Sequence, residues 1–118
     1  LGSLNMVLGI AIGAFGAHGL STKVSEKMLH NWNTGAHYHL IHALGLFIIG
    51  LLMMNINPDS SLLSLAGWFM LLGILLFSGS LYALVLSDQR IWGMVTPIGG
   101  IFYIVSWILV AVGVIKDV

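Results

Sequence analysis

Residues 62–86 read LLSLAGWFMLLGILLFSGSLYALVL, a run of 25 without one Asp, Glu, Lys or Arg. A helix rises about 1.5 Å per residue and the hydrocarbon core of a bilayer is about 30 Å thick, so about 20 such residues suffice to cross it. Three further stretches meet the same requirement, residues 1–18, 36–54 and 91–115. The whole chain agrees with that reading: of 118 residues 58% are apolar and 7% charged, with a mean hydropathy of +1.03, whereas soluble domains are about a quarter charged. The sequence therefore predicts an all-α integral membrane protein, a four-helix bundle with the lipid bilayer as its partner solvent.

The connections fix the expected arrangement. Residues 19–35 carry Lys23, Glu26, Lys27 and His30, with Ser21 or Thr22 as a candidate N-cap and Val24, Met28 and Trp32 at helical spacing; this predicts a short amphipathic interfacial helix with Trp32 at headgroup depth. Asn57-Pro58-Asp59 is a turn sequence, and residues 87–90 form a shorter link still. Links this short make consecutive helices antiparallel neighbours, giving an up-down-up-down bundle in a single transmembrane domain over residues 1–118. The chain opens at Leu1 without methionine, so a short native N-terminus is expected before it. The first apolar stretch is read as a retained span, not a cleaved signal peptide. Gly9, Gly13 and Ala17 fall four apart with Gly16 beside them, a small-residue face on which another helix can pack.

Several function classes are excluded. Four Lys plus Arg against four Asp plus Glu leave no basic stripe, so no nucleic-acid partner is expected. The absence of cysteine removes disulfides, thiolate chemistry and zinc–cysteine sites. Glu26, Asp59, Asp88 and Asp117 all lie outside the expected spans, which removes paired-acid chemistry in the membrane and argues against a proton-coupled exporter. Phe77-Ser78-Gly79-Ser80 shows neither a base nor an oxyanion hole. No catalytic residue, resident cofactor or metal is assigned, and the protein is expected not to be an enzyme.

With alternating helices, the end of the first span, the start of the second, the end of the third and the start of the fourth share one side of the membrane. The polar residues on that side are His18, Tyr38, His42, Ser78, Ser80, Tyr82 and Thr96, and His42 and Ser80 lie on the order of 10 Å below the surface. A polar group without a partner there costs roughly 2 kcal/mol or more. A clustered site is the consequence, open to three readings: a hydrogen-bond network clamping the helices, a ligand or metal pocket, or a path for protons or a small solute. His18, His39 and His42 could supply two axial haem ligands or three nitrogens to a metal, although no spacing is diagnostic; His30 and His37 belong nearer the interface. Thr96-Pro97 permits either a helix begun near Ile91 and kinked at Pro97, or one capped by Thr96 with Pro97 at its first position.

Gly13-Ala14-Phe15-Gly16-Ala17-His18-Gly19-Leu20, Tyr38 with His42-Ala43-Leu44, Phe77-Ser78-Gly79-Ser80-Leu81-Tyr82 and Thr96-Pro97-Ile98-Gly99-Gly100 occur in this order. That combination, across essentially the whole chain, resembles the YgdD/YwdK-like family of small bacterial membrane proteins, a domain-of-unknown-function family with distant mitochondrial relatives. The resemblance implies four spans, a bacterial cytoplasmic membrane and a loose association with membrane integrity; it supplies no substrate, cofactor or catalytic residue. His39 is not carried over, since the family pattern accepts a glutamine-like residue there.

The expectation is a non-catalytic membrane protein contributing to membrane integrity or organisation through self-association, as a homo-oligomer, or through binding lipid or a membrane-protein partner. The alternative is a small-molecule, metal or haem-binding protein or minor transporter using the polar cluster. Lys23, Lys27 and Arg90 on one side against Lys116 on the other predict that the first and third loops are cytoplasmic.

Overall fold

A computed structural model describes residues 1–117, the last of them by its backbone, so the expected position of the Asp117 carboxylate lies outside what is described. Helix α1 (Gly2–Phe15) continues through a π-helical turn, Gly16–Leu20. Helix α2 spans Glu26–Asn55. Helix α3 (Ser61–Gly73) runs through a second π-helical turn, Ile74–Ser78, into α4 (Gly79–Ser87), and α5 spans Ile91–Asp117. Four helices, Gly2–Leu20, Glu26–Asn55, Ser61–Ser87 and Ile91–Lys116, are long and apolar enough to cross a membrane, and there is no strand among the described residues.

The helix ends follow from local chemistry. Ser25 and Ser60 have extended backbones and their hydroxyls accept from the N–H groups of Met28 and Leu63, each 3.2 Å away, satisfying a donor that the first turn leaves open. Asn57 Oδ1 accepts from the Asp59 N–H at 3.0 Å, closing the second link as a side-chain turn. Asp88 ends α4 in the left-handed region, φ 56°, with its N–H on the Leu84 carbonyl, a conformation Asp tolerates better than most residues.

The expected interfacial helix between the first two spans is corrected. Residues 26–35 are the opening turns of α2, the N-cap is Ser25 instead of Ser21 or Thr22, and Trp32 is packed inside the protein, 3% exposed. The change from polar to apolar sequence near Gly35 does not interrupt a helix, because those turns have protein neighbours. A Cβ on Gly16 would collide with the Trp32 indole, and one on Gly35 would press on Tyr82 and Leu81. Trp32 Nε1–H donates to the Ile12 carbonyl at 2.8 Å, and Leu20, Trp32 and Val85 form a small core of their own.

Helix α1 packs along α2 and, among the described residues, along no other span. Its small-residue face is used there: Gly9 lies against Leu40, Gly13 faces Ala36 and Gly16 admits Trp32, while Leu4, Val7, Leu8 and Ile10 stay exposed. The opposite side of α2 meets α3, α4 and α5 around a core of Leu46, Ile49, Ala66, Met70, Ile74 and Tyr103. At Gly99 the backbone of α5 comes so close to Leu76 and Phe77 that a Cβ would strike their main-chain atoms. Pro97 lies inside α5, which begins at Ile91. The helix therefore starts where the first of the two alternatives for Thr96-Pro97 puts it; the Thr96 hydroxyl donates back to the Trp92 carbonyl within the helix instead of capping it.

Candidate functional site: polar clusters between the spans

The seven residues expected to share one site divide among three clusters and one exposed position. Tyr38, His42 and Leu46 recur every four residues on α2 and so share one face, which meets the π-helical turn Ile74–Ser78 and α5. His42, 4% exposed, donates from Nδ1–H to the Tyr38 carbonyl at 2.7 Å and accepts at Nε2 from the Trp107 indole N–H at 2.9 Å. Because a carbonyl only accepts and an indole N–H only donates, this pair of bonds defines one neutral tautomer. The imidazole lies flat on the Tyr103 ring, centroids 3.5 Å apart and planes within 9°. The Tyr103 hydroxyl bonds in turn to Ser78 Oγ at 3.1 Å, where Ser78 is fully buried. One histidine thereby connects the second span to the fourth and, through Tyr103, to the third.

Tyr82 is not part of that network. Its hydroxyl lies 3.0 Å from His39 Nδ1, and His39 Nε2 lies 3.3 Å from Asn5 Oδ1. The Asn5 amide nitrogen donates to the Leu1 carbonyl at 3.0 Å, so its oxygen accepts from His39 Nε2–H, and His39 Nδ1 accepts from Tyr82. This second cluster connects the first, second and third spans. Ser80 and Thr96 make a third, hydroxyl to hydroxyl, with the Ser80 hydroxyl also 2.8 Å from the Phe77 carbonyl. His18 is exposed on the π-helical turn, so the expected cluster loses it. Tyr38 contributes its carbonyl to His42 while its ring, 39% exposed, packs on Phe77 with centroids 4.8 Å apart.

The clusters leave few groups for chemistry. No buried side-chain nitrogen or oxygen among the described residues lacks a hydrogen-bond partner, and no three His, Asp or Glu side chains among them converge as a metal site would need. Sequence reasoning missed Asn5, Tyr103 and Trp107, and set His39 aside. A polar atom within an apolar run was the available signal for each, but Tyr103 and Trp107 read as ordinary membrane aromatics. The π-helical turn Ile74–Ser78 ends at Ser78 and rotates the remainder of the third span, so Ser78 faces Tyr103, and Ser80 and Tyr82 reach two different neighbours.

The model of a family described as "Protein of unknown function (DUF423)" matches residues 12–100. The chain is 47% identical over 116 residues to the UPF0382 membrane protein YwdK of Bacillus subtilis (strain 168), covering 98% of this chain and 94% of that one. It is 42% identical over 116 residues to a UPF0382 membrane protein of Staphylococcus epidermidis, covering 98% and 93%, and 43% identical over 116 residues to one of Staphylococcus saprophyticus, covering 98% and 94%. No solved structure matches the chain.

Proposed function

The chain belongs to the DUF423 family of membrane proteins, and from that premise we propose a non-catalytic role: it helps maintain a bacterial cytoplasmic membrane as a homo-oligomeric up-down-up-down bundle. The observation that carries this reading is the commitment of both His42 nitrogens to bonds between and within spans, the Tyr38 carbonyl at 2.7 Å and the Trp107 indole at 2.9 Å. A general base or a metal ligand needs a free lone pair, and His42 has none. His39 is committed in the same way to Tyr82 and Asn5. The metal or haem alternative thereby loses its two most buried ligands. Self-association is supported by the outward face of α1, where Leu4, Val7, Leu8 and Ile10 meet no other span among the described residues, and lipid or a different membrane protein would be the competing cover.

The test compares cells with and without the gene for uptake of a membrane-impermeant dye, and examines protein purified gently from native membranes by elemental analysis and absorbance. The expected result is raised dye uptake on deletion, restored by the wild-type chain, with no stoichiometric metal and no haem band. Unchanged permeability together with a bound metal or haem would replace the proposal by the alternative.

A further inference from the structure

The third span, the fourth span and α2 leave a groove, a cavity of about 410 Å³ whose walls include Tyr38, His42, Phe77, Tyr103, Ile104 and Trp107, with Gly100 beside them. Its polar atoms are almost all committed. The Tyr103 hydroxyl is held by Ser78, the Trp107 N–H by His42, and both His42 nitrogens are occupied. The Tyr38 hydroxyl alone among the lining side chains has no hydrogen-bond partner among the described residues, and Tyr38 lies about 18 Å along α2 from Glu26. The walls carry no charge, and the rings of Tyr38, Phe77 and Tyr103 stand at centroid separations of 4.8 to 6.3 Å from one another.

This lining selects a ligand. An uncharged wall disfavours any ionised headgroup, whose desolvation nothing would offset. The electron-rich faces of Tyr38 and Trp107, each more than a third exposed, attract a flat, electron-poor ring. The free phenol hydroxyl asks for a hydrogen-bond acceptor, and its position within the spans asks for a molecule dissolved in the membrane. A saturated acyl chain meets the apolar requirement and neither of the others. We propose that the groove is a binding site for a lipid-soluble quinone, its ring against Tyr38 and Trp107 and one carbonyl accepting from the Tyr38 hydroxyl. The site goes beyond the structural role proposed for the bundle and does not require it.

Position 100, itself in the lining, makes the site testable by filling it. A Cβ on Gly100 would lie 3.7 and 3.8 Å from the Phe77 ring, ordinary contact, so a larger side chain there extends into the groove. The protein in lipid nanodiscs is titrated with menadione, a naphthoquinone that quenches tryptophan; the chain has no cysteine for the quinone to arylate. Saturable quenching in the wild type is expected, with affinity weakened about five- to tenfold in Tyr38→Phe, as for one lost hydrogen bond, and abolished in Gly100→Leu. Non-saturable quenching that is the same in all three proteins would overturn the site, as would saturable quenching unchanged in Tyr38→Phe and in Gly100→Leu. A phospholipid with a nitroxide-labelled chain that quenches saturably and is not displaced by menadione would assign the groove to lipid instead. If Gly100→Leu does not fold, Tyr38→Phe decides the matter, because it removes one hydroxyl from a half-exposed ring.

Discussion

His42 and Trp107 are 65 positions apart in the chain and 2.9 Å apart in space, and the energy of that contact is measurable as a coupling. Residues in one network deviate from additivity by about 0.5 to 3 kcal/mol, although single membrane hydrogen bonds average only about 0.6 kcal/mol. In detergent unfolding, His42→Ala combined with Trp107→Phe should lose clearly less stability than the sum of the single changes, and so should His39→Ala combined with Tyr82→Phe. His42→Ala with Tyr82→Phe should be close to additive, since the two residues belong to different clusters. Additivity in both bonded pairs would remove the struts. Counting residues along each span puts His42, Ser78, Ser80, Tyr82 and Thr96 in the same half of the bundle. It did not show which of them meet. That depends on how each helix is rotated about its axis, and the π-helical turn Ile74–Ser78 changes the rotation with no motif to announce it.

At the level of helices, glycines distinguish packed faces from open ones. The α5 backbone at Gly99 is pressed against the main chain of Leu76 and Phe77, which cannot rotate away, whereas Gly50 and Gly93 have nothing within 4 Å of an added Cβ. Gly99→Ala should destabilise the protein by about 1 to 3 kcal/mol, the usual cost of overpacking, and Gly50→Ala and Gly93→Ala should be neutral within error; thermal unfolding in one detergent compares all three. Equal behaviour of the three variants would contradict the packing of α5 on the third span. Ser25→Ala should cost about 1 kcal/mol through loss of the N-cap, whereas Ser21→Ala should not, and the same assay separates a helix starting at Glu26 from one starting near residue 22. The four spans were legible from hydropathy to within a few residues at most ends. The start of the second was not, because residues 26–35 are polar enough to suggest a surface helix, yet Gly16 and Gly35 open room for Trp32 and Tyr82 to bury them.

Across the whole molecule, α1 packs along α2 and, among the described residues, along no other span, and it shows an apolar outer face, Leu4, Val7, Leu8 and Ile10. Cross-linking in native membranes should therefore return dimers or larger species through residues of α1, and monomer alone across a range of linker lengths would count against self-association. The proposed topology has four crossings of the bilayer, with the first and third loops together on the cytoplasmic side, where Lys23, Lys27 and Arg90 gather. The cysteine-free sequence allows single cysteines to report on each link, and Ser25 and Ser60 are avoided because they cap helices. Thr22→Cys, Asp59→Cys and Gln89→Cys are exposed in intact cells to a membrane-impermeant thiol reagent. Labelling is expected at position 59, with protection at positions 22 and 89 until the membrane is opened; labelling at 22 and 89 with protection at 59 would reverse the orientation, and different behaviour of 22 and 89 would contradict the four-span arrangement itself.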